Sequence, residues 1–341
     1  MFNRLRRLLP VLMLAVLSVG GVRYIQTNLS QNIAFKPLQL DPAHAGVRRI
    51  DSLIFLNAWE LMSLNEKFGG ISGLTILNDG RFVGVSDAGT LIGFGLSNDD
   101  RIDRPFIAPL PGSTDPSFSY KDRDSESITY DPNSGQFWVS YENNHAIRRY
   151  SRSFSRLNAT ARPKEMQDWP ANRGAEALLR LSDGRFLAIS ESLDDDTHKA
   201  LLFSGDPVEP GTVTTRFTYR PPNRYRVTDG TQLPDGRIAI LYRSIGVPEG
   251  FSAKLGLVEP SQIGNGKIAK SRVIATLSAP LLVDNMEGIA AEMRGDATII
   301  WLISDDNFFF LQRTILMKFR LSNAENAKKP GAEAAPGFDS L

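Results

Sequence analysis

The sequence predicts an all-β protein of the β-propeller class with six blades. Five segments each contain a short apolar strand, a turn centred on Asp-Gly or a similar pair, and a second apolar strand. Their turn glycines are separated by 55, 49, 52 and 59 residues, and are Gly80, Gly135, Gly184, Gly236 and Gly295. A repeat of about 50 residues that holds a hairpin and two further strands is typical of a propeller blade.

The hairpins are supported by their turns and by the residues on either side. Asn-Asp-Gly, Asn-Ser-Gly, Ser-Asp-Gly and Pro-Asp-Gly place glycine where a hairpin turn needs a positive φ. The flanking runs are rich in Ile, Val, Phe, Leu and Trp, as strands are. Stretches such as "TLIGFGL", "HAIRRYS" and "KALLFSG" supply the outer strands. The alternative, a β-sandwich with chance Asp-Gly turns, is disfavoured by five matching copies.

The two ends of the folded region also have strand-like composition. "RRIDSLIFLNAWELMSL" begins at Arg48, and "TILMKFRL" begins at Thr314. We expect these strands to join in a sixth blade, so that the propeller domain covers residues 48–321. Residues 322–341 are rich in Ala, Pro, Gly and charge, which predicts a disordered tail.

Residues 1–22 have the pattern of an export signal or an N-terminal anchor. Arg4, Arg6 and Arg7 precede an apolar run from Leu8 to Val19. The run is shorter than the roughly 20 residues that a spanning helix needs. Cleavage and retention as a membrane tether both stay open. We expect a periplasmic or secreted protein, or one anchored to the inner membrane.

Composition excludes several classes of function. The chain has no cysteine and three histidines, which removes thiol nucleophiles, thiolate metal sites and sites built from several imidazoles. The net charge is +1 and no Lys/Arg cluster runs through the body, so nucleic acid is not an expected partner. A monomer is expected.

Carboxylates recur at two positions of the hairpins. Before the turn glycine stand Glu126, Glu176 and Glu287, and after it stand Asp87, Glu142, Glu191 and Asp305. Positions at similar distances on either side of a turn are cross-strand neighbours at the open end of the hairpin. Since the first strand of each blade lines the central channel, we expect these acids to form a ring at one mouth.

A ring of like charges needs compensation to stay ionised. An oxygen-ligated divalent cation such as Ca²⁺ is one solution. Arginine is the other, and Arg123, Arg173 and Arg243 are placed to hold an anionic substrate. His145 follows Glu142 and is a candidate acid or base, although a lone His there is more often an ordinary loop residue. The competing interpretation is that these acids and arginines only pair within and between blades.

The segment "SDDNFFFLQRT" is the least ordinary one in the chain. It places three phenylalanines, Phe308, Phe309 and Phe310, directly after the acidic end of a hairpin. Because exposed phenylalanine is unfavourable in water, we expect the aromatic side chains to fasten a loop over the mouth.

With these segments identified, the chain resembles the phytase-like family, also described by an esterase-like activity of phytase. The matching pieces are "GGISGLTILNDGRFVGVSD", "DSESITYDPNSGQFWVSYE", "GAEALLRLSDGRFLAISE" and "DNMEGIAAEMRGDATIIWLISDDNF". The pair "DNMEGI" and "LISDDNF" is the most specific. The resemblance implies an exported propeller hydrolase acting on phosphate or other esters, with a dependence on calcium. Two pieces have Ser127 and Ala177 after the acid where the family more often has glycine.

These observations lead to one preferred function and two alternatives. The preferred one is a hydrolase of small ester or phosphoester molecules, with Glu126, Glu176 and Glu287 holding a cation that polarises an ester oxygen. The first alternative is a non-catalytic propeller that binds a ligand or partner in the cell envelope. The second is a lactonase-like hydrolase with one metal at the channel mouth.

Overall fold

The computed structural model describes residues 30–97, 101–112, 119–194 and 196–322. Within them lie 23 β-strands and the 3₁₀ helices Tyr120–Asp122, Lys164–Met166 and Pro260–Gln262. The predicted signal or anchor and nearly all of the predicted tail fall outside the described residues. In the described part of the chain, no helix has the length and apolar character needed to cross a membrane.

The strands form five sheets that follow one another along the chain. Blade 1 contains β4 (Ile71–Ile76), β5 (Phe82–Ser86), β6 (Thr90–Leu96) and β7 (Ile102–Pro109). Blade 2 contains β8 (Ser125–Tyr130), β9 (Phe137–Tyr141), β10 (Ala146–Tyr150) and β11 (Leu157–Ala161). Blade 3 contains β12 (Ala175–Arg180), β13 (Phe186–Asp194), β14 (Thr197–Phe203) and β15 (Thr214–Arg220), with β19 (Ile268–Lys270) at its edge.

The last two blades complete the circle. Blade 4 contains β16 (Arg226–Gln232), β17 (Ile238–Gly246), β18 (Gly250–Val258) and β20 (Arg272–Ser278). Blade 5 contains β21 (Met286–Arg294), β22 (Ala297–Ser304) and β23 (Thr314–Leu321), followed by β3 (Leu53–Met62), β1 (Ala34–Leu38) and β2 (Arg49–Ile50). The inner strands β4, β8, β12, β16 and β21 each contact the inner strands of both neighbouring blades. The fold is therefore a β-propeller, as the sequence predicts.

The prediction of six blades is wrong, because the fold has five. The strands near the two chain ends do pair, with Leu61 opposite Thr314 in the β3–β23 ladder. However, β23 also pairs with β22, so both strands extend the fifth hairpin. Strands β3 and β23 thus extend blade 5, and the described residues contain no strands for another blade.

The hairpin turns follow the prediction. Gly80, Gly135, Gly184, Gly236 and Gly295 all have positive φ, between 57° and 90°. The hydrophobic core lies between neighbouring blades. Between blades 5 and 1, for example, Trp301 stacks on Trp59 with ring centroids 6.3 Å apart and meets Phe82 edge-on at 4.8 Å.

Candidate functional site

Each inner strand carries a β-bulge near its start. The ladder register shifts around Ser72 in blade 1, Glu176 in blade 3, Thr228 in blade 4 and Glu287 in blade 5. In blade 2 the shift spans Glu126 and the residue after it. A bulge leaves its residue out of the ladder and re-aims its side chain. Three of the five bulges therefore present a carboxylate at the same level of the channel.

The second strand of each hairpin ends beside the bulge. In four blades, the residue that follows the last residue of the second strand paired with the first donates its backbone amide to a carbonyl on the first strand side of the hairpin. That carbonyl belongs to the residue two positions before the bulged residue. The pairs are Asp87 to Gly70, Glu142 to Asp124, Glu191 to Gly174 and Asp305 to Asn285, at 2.8–3.1 Å. In blade 4, Arg243 takes this place and lies opposite Arg226. We call Asp87, Glu126, Glu142, Glu176, Glu191, Glu287 and Asp305 the acid ring.

Carboxylate oxygens of the acid ring and of Asp124 come close enough to share a cation. Asp124, Glu126 and Glu142 form one group, and Glu142, Glu176 and Glu191 form a second, with ligand atoms within 4.8 Å of one another in each. Glu142 belongs to both groups. A donor set made only of carboxylate oxygens fits a hard cation such as Ca²⁺. The residues present therefore fit a divalent cation.

Burial and mutual repulsion raise the pKa values of Glu126 and Glu176, the acids on the inner strands of blades 2 and 3. Burial raises the pKa of Glu126 well above its ordinary value, and the charges of Asp124 and Glu142 add to this. The pKa of Glu176 is also raised well above its usual range by burial, then by Glu126 and Glu191. Glu287 of blade 5 and Asp87 of blade 1 also raise the pKa of Glu126, as expected for side chains that converge.

The acids that follow the second strands of the hairpins, Glu142, Asp305 and Asp87, also have raised pKa values. Burial, with a contribution from Asp124, raises the pKa of Glu142 to about 8. Burial and the charge of Glu287 raise the pKa of Asp305 to about 8. Burial, then Asp124, raises the pKa of Asp87 to about 6. Near neutral pH the ring therefore binds protons that a cation would displace.

Arg243 supplies positive charge to this cluster. Its Nη1 lies 2.9 Å from Glu287 Oε1 and donates to Asn285 Oδ1 at 2.5 Å. Burial raises the pKa of Glu287 to about 7, while Arg243 pulls it in the opposite direction. Although burial opposes the charge on Arg243, the surrounding acids, Glu287 first, raise its pKa. Arg243 therefore stays charged and neutralises one carboxylate of the ring.

The other predicted cationic groups have different surroundings. Arg123 lines a cavity of about 270 Å³ together with Lys67 and Gly89. The amide of Arg173 closes a turn by donating to the carbonyl of Pro170 at 3.0 Å. The proposed contact of Arg123 and Arg173 with an anionic substrate stays a prediction.

His145 is placed against an aromatic side chain. Its ring is buried, its Nε2 donates to the carbonyl of Trp169 at 3.1 Å, and it meets the Trp169 ring edge-on. Burial lowers the pKa of His145, which favours the neutral ring. His145 belongs to neither of the two carboxylate groups described above. The structure thus directs the ring toward Trp169, and a role of His145 as acid or base stays a prediction.

Sequence reasoning missed three polar residues of the site. Asp124 joins the first carboxylate group, and Asn285 receives the hydrogen bond from Arg243. Asp306 accepts the amide of Gly70 at 2.9 Å and so ties blade 5 to blade 1. A usable signal existed, because Asp124 and Asn285 both stand two residues before a bulged acid.

The channel is crossed below the ring by a hydrogen-bond network. The hydroxyl of Ser127 donates to Asp229 Oδ1 at 2.9 Å and accepts the amide of Leu178 at 3.1 Å, while Ile289 N donates to Asp229 Oδ2 at 3.0 Å. Asp229 is buried, and burial raises its pKa well above the usual range. This network joins the inner strands of blades 2, 3, 4 and 5. A separate cavity of about 590 Å³, lined by all five inner strands, opens beyond it.

The loop that contains Phe308, Phe309 and Phe310 lies beside the acid ring, but its aromatic side chains are not all buried. A Cβ built on Gly70 would lie 2.5 Å from both Asp87 Oδ1 and the ring of Phe308, so these groups flank Gly70. Phe308 is 48% exposed and Phe310 is 86% exposed. The expectation that the phenylalanines fasten the loop is therefore wrong for Phe310.

The chain is similar to one protein family and to several solved structures. A family model described as "Phytase-like: Esterase-like activity of phytase" matches residues 66–308. No curated protein sequence matches the chain. Among solved structures, the glutaminyl cyclase of Myxococcus xanthus is 13% identical over 79% of this chain and 96% of its own, with a TM-score of 0.47. A luciferin-regenerating enzyme is 12% identical over 86% of this chain and 100% of its own, with a TM-score of 0.44.

Proposed function

Because the chain belongs to the phytase-like family, we propose that it is a hydrolase of ester or phosphoester bonds assisted by a divalent cation. The observation that supports this most strongly is the pair of carboxylate groups that share Glu142 at one mouth of the propeller. They bring together acids from the two neighbouring blades 2 and 3, at positions between 124 and 191 of the sequence. A propeller that serves only as a scaffold would not require carboxylates to lie this close together.

The proposed site assigns a role to each group of residues. Asp124, Glu126 and Glu142 hold the cation, for which Ca²⁺ is the first candidate because all the donors are oxygens. When bound, a divalent cation polarises an ester oxygen and lowers the pKa of water. Arg243 keeps its positive charge beside the ring and can orient an anionic group.

The raised pKa values of the ring acids support a role in proton transfer. Burial raises the pKa of Glu287 to about 7 against the pull of Arg243, so this carboxyl group, which lies outside both carboxylate groups, can hold a proton near neutral pH. A group poised in this range can give a proton to a leaving alcohol or take one from water. We assign Glu176 and Glu287 to the same proton-transfer and charge-balancing task.

A non-catalytic ligand-binding function is the second candidate. It is favoured by the hydrogen bonds of Ser127 and Asp229, which cross the channel below the ring and limit its depth. In that case the acid ring would bind calcium or a basic group without turnover. A lactonase-like activity is a variant of the first proposal and differs from it only in the ester that is cleaved.

We also propose that the protein acts outside the cytoplasm. The arginines at 4, 6 and 7 and the apolar run that follows them have the order of an export signal. Sequencing the N-terminus of protein from the host cell envelope tests this. A mature chain that begins near residue 21, or an intact chain in the membrane fraction, supports export, whereas an intact chain in the cytoplasm opposes it.

A substrate panel with a matched pair of variants tests the hydrolase. Chelator-treated protein is reloaded with Ca²⁺ and assayed on aryl phosphates, aryl carboxylate esters and lactones. Glu176→Gln removes a ring charge, whereas Glu259→Gln changes a glutamate in the loop after β18 for which no role is proposed. We expect calcium-dependent turnover that falls by about tenfold or more in Glu176→Gln and is unchanged in Glu259→Gln. Calcium binding without turnover on any ester would favour the second candidate.

A further inference from the structure

Large apolar side chains are exposed mainly at one end of the propeller. Of the eleven such side chains in the described part of the chain, seven lie at the mouth that carries the acid ring. They belong to the neighbouring blades 4 and 5 and are Met62, Leu64, Ile245, Val247, Phe308, Phe310 and Leu311. We call these seven residues the apolar rim. The other four lie on outer strands or toward the opposite end.

The strand registers establish this placement. Leu61 lies opposite Thr314, so the chain from Met62 onward emerges next to the loop that contains Phe308 and Phe310. The β17–β18 hairpin continues past Arg243 to a tip at Gly246 and Gly250, which carries Val247. Since Arg243 contacts the acid ring, this tip projects from the same mouth.

The apolar rim is convex. Val247 is 95% exposed, Phe310 is 86% exposed and Leu64 is 79% exposed. Side chains that project this far from hairpin tips and loops do not enclose a small ligand, and they lose contact with water only against a broad apolar surface. Grouped exposure of this kind marks an interaction site on a soluble fold.

The chain enters the fold next to this rim. Asn65 Nδ2 donates to the carbonyl of Ser30 at 2.8 Å, and the hydroxyl of Ser63 donates to the carbonyl of Asn32 at 2.7 Å. The described part of the chain therefore begins, at Ser30, beside Leu64. The sequence before Ser30 contains the apolar run from Leu8 to Val19. A tether made from that run would hold this face, rather than the opposite one, toward a bilayer.

From the convex rim and the point of chain entry, we propose that the acid-ring face docks on a lipid bilayer, with the apolar rim inserted at the level of the headgroups. Phenylalanine, leucine and valine are suited to this depth, where apolar side chains leave water without crossing the membrane. The acid ring then faces the membrane surface. This inference does not depend on whether the ring is catalytic.

Single-cysteine labelling of the full chain tests the docking, because the protein has no native cysteine. Phe310→Cys and Val247→Cys place a polarity-sensitive fluorophore on the rim. Met293→Cys is the matched control, since Met293 is 50% exposed near the far end of β21. Each labelled protein is mixed with phosphatidylcholine–phosphatidylglycerol vesicles and quenched with aqueous iodide. We expect iodide quenching of both rim labels to fall severalfold on vesicle binding, while quenching at the control position is unchanged.

Other occupants of the rim give different results. If residues 1–29 cover it, the rim labels are protected before vesicles are added, and that result overturns the proposal. If a second copy covers it, protection grows with protein concentration in the absence of lipid, which also overturns it. Vesicle-bound protein whose rim labels stay as accessible to iodide as the control label shows that the tether binds without docking. Failure of the full chain to bind vesicles contradicts the proposal as well.

Discussion

Replacing Arg243 by methionine should destabilise the cation-free protein in a pH-dependent way. Arg243 forms a partly buried ion pair with Glu287, whose side chain is only 11% exposed. Removing one partner of a buried pair costs about 3–5 kcal/mol. Since the Arg243 side chain keeps 27% of its exposure, we discount this to about 2–3 kcal/mol at pH 8.

The loss should be smaller in acid. The pKa of Glu287 is about 7, above its ordinary value of 4.5, so at pH 5 the folded protein holds this carboxyl group in its neutral form. Arg243 then has no charge to neutralise there, and its removal should cost only about 1 kcal/mol through lost packing. The difference between variant and wild type should therefore grow as pH rises through about 7.

Urea unfolding in the presence of a chelator, at pH 5 and pH 8, measures both values. Arg185→Met is the matched control, because Arg185 pairs with Asp183 in an exposed hairpin turn at the opposite end. An exposed pair contributes about 0–1 kcal/mol, with little change between these pH values. If Arg243→Met loses the same free energy of unfolding at both pH values, or loses no more than Arg185→Met, Arg243 does not stabilise the ionised form of Glu287.

Three further predictions concern stability. Burial raises the pKa values of ring acids to as much as about 8, so the cation-free folded state binds more protons than the unfolded state. The melting temperature of the cation-free protein should therefore fall from pH 5 to pH 8, and Ca²⁺ should restore it at pH 8. A melting temperature that does not change with pH contradicts this prediction. Ser127→Ala removes one hydrogen bond to Asp229 and should lower the free energy of unfolding in urea by about 2 kcal/mol. A loss of less than about 0.5 kcal/mol would show that the network does not stabilise the fold. Gly70→Ala forces a Cβ against Phe308 and should lower the melting temperature more than Gly80→Ala, where the space is open; equal losses would indicate backbone strain alone.

The sequence reveals the propeller because its repeat is local. Each turn glycine and its flanking strands lie within about 20 residues, so hairpin signals are complete without tertiary information. Blade number is a different kind of property. It depends on whether β3 and β23 form a blade of their own or extend the β21–β22 hairpin, and that pairing joins residues at opposite ends of the chain.

In the candidate site, likewise, some features could be predicted from local sequence and others depend on tertiary contacts. Alignment on the turn glycines predicts that Glu126, Glu176 and Glu287 share a level, and the bulges give the physical basis for this. The orientation of His145 could not be predicted, because its ring is held by Trp169, a residue 24 positions away in the segment that precedes blade 3. The exposure of Phe310 likewise depends on how the loop projects, and composition alone does not determine that.

If the acid ring holds a divalent cation, calorimetric titration of Ca²⁺ into chelator-treated protein should detect binding at that site. Glu142 belongs to both carboxylate groups, so Glu142→Gln should weaken binding by about tenfold or more, while Glu259→Gln should leave it unchanged. Binding should release protons near pH 7, since Glu142 and Asp305 have pKa values of about 8 without the cation. Titrations in buffers of different ionisation enthalpy detect that release. Calcium binding that is insensitive to Glu142→Gln and releases no protons, or no calcium binding at all, would contradict the account.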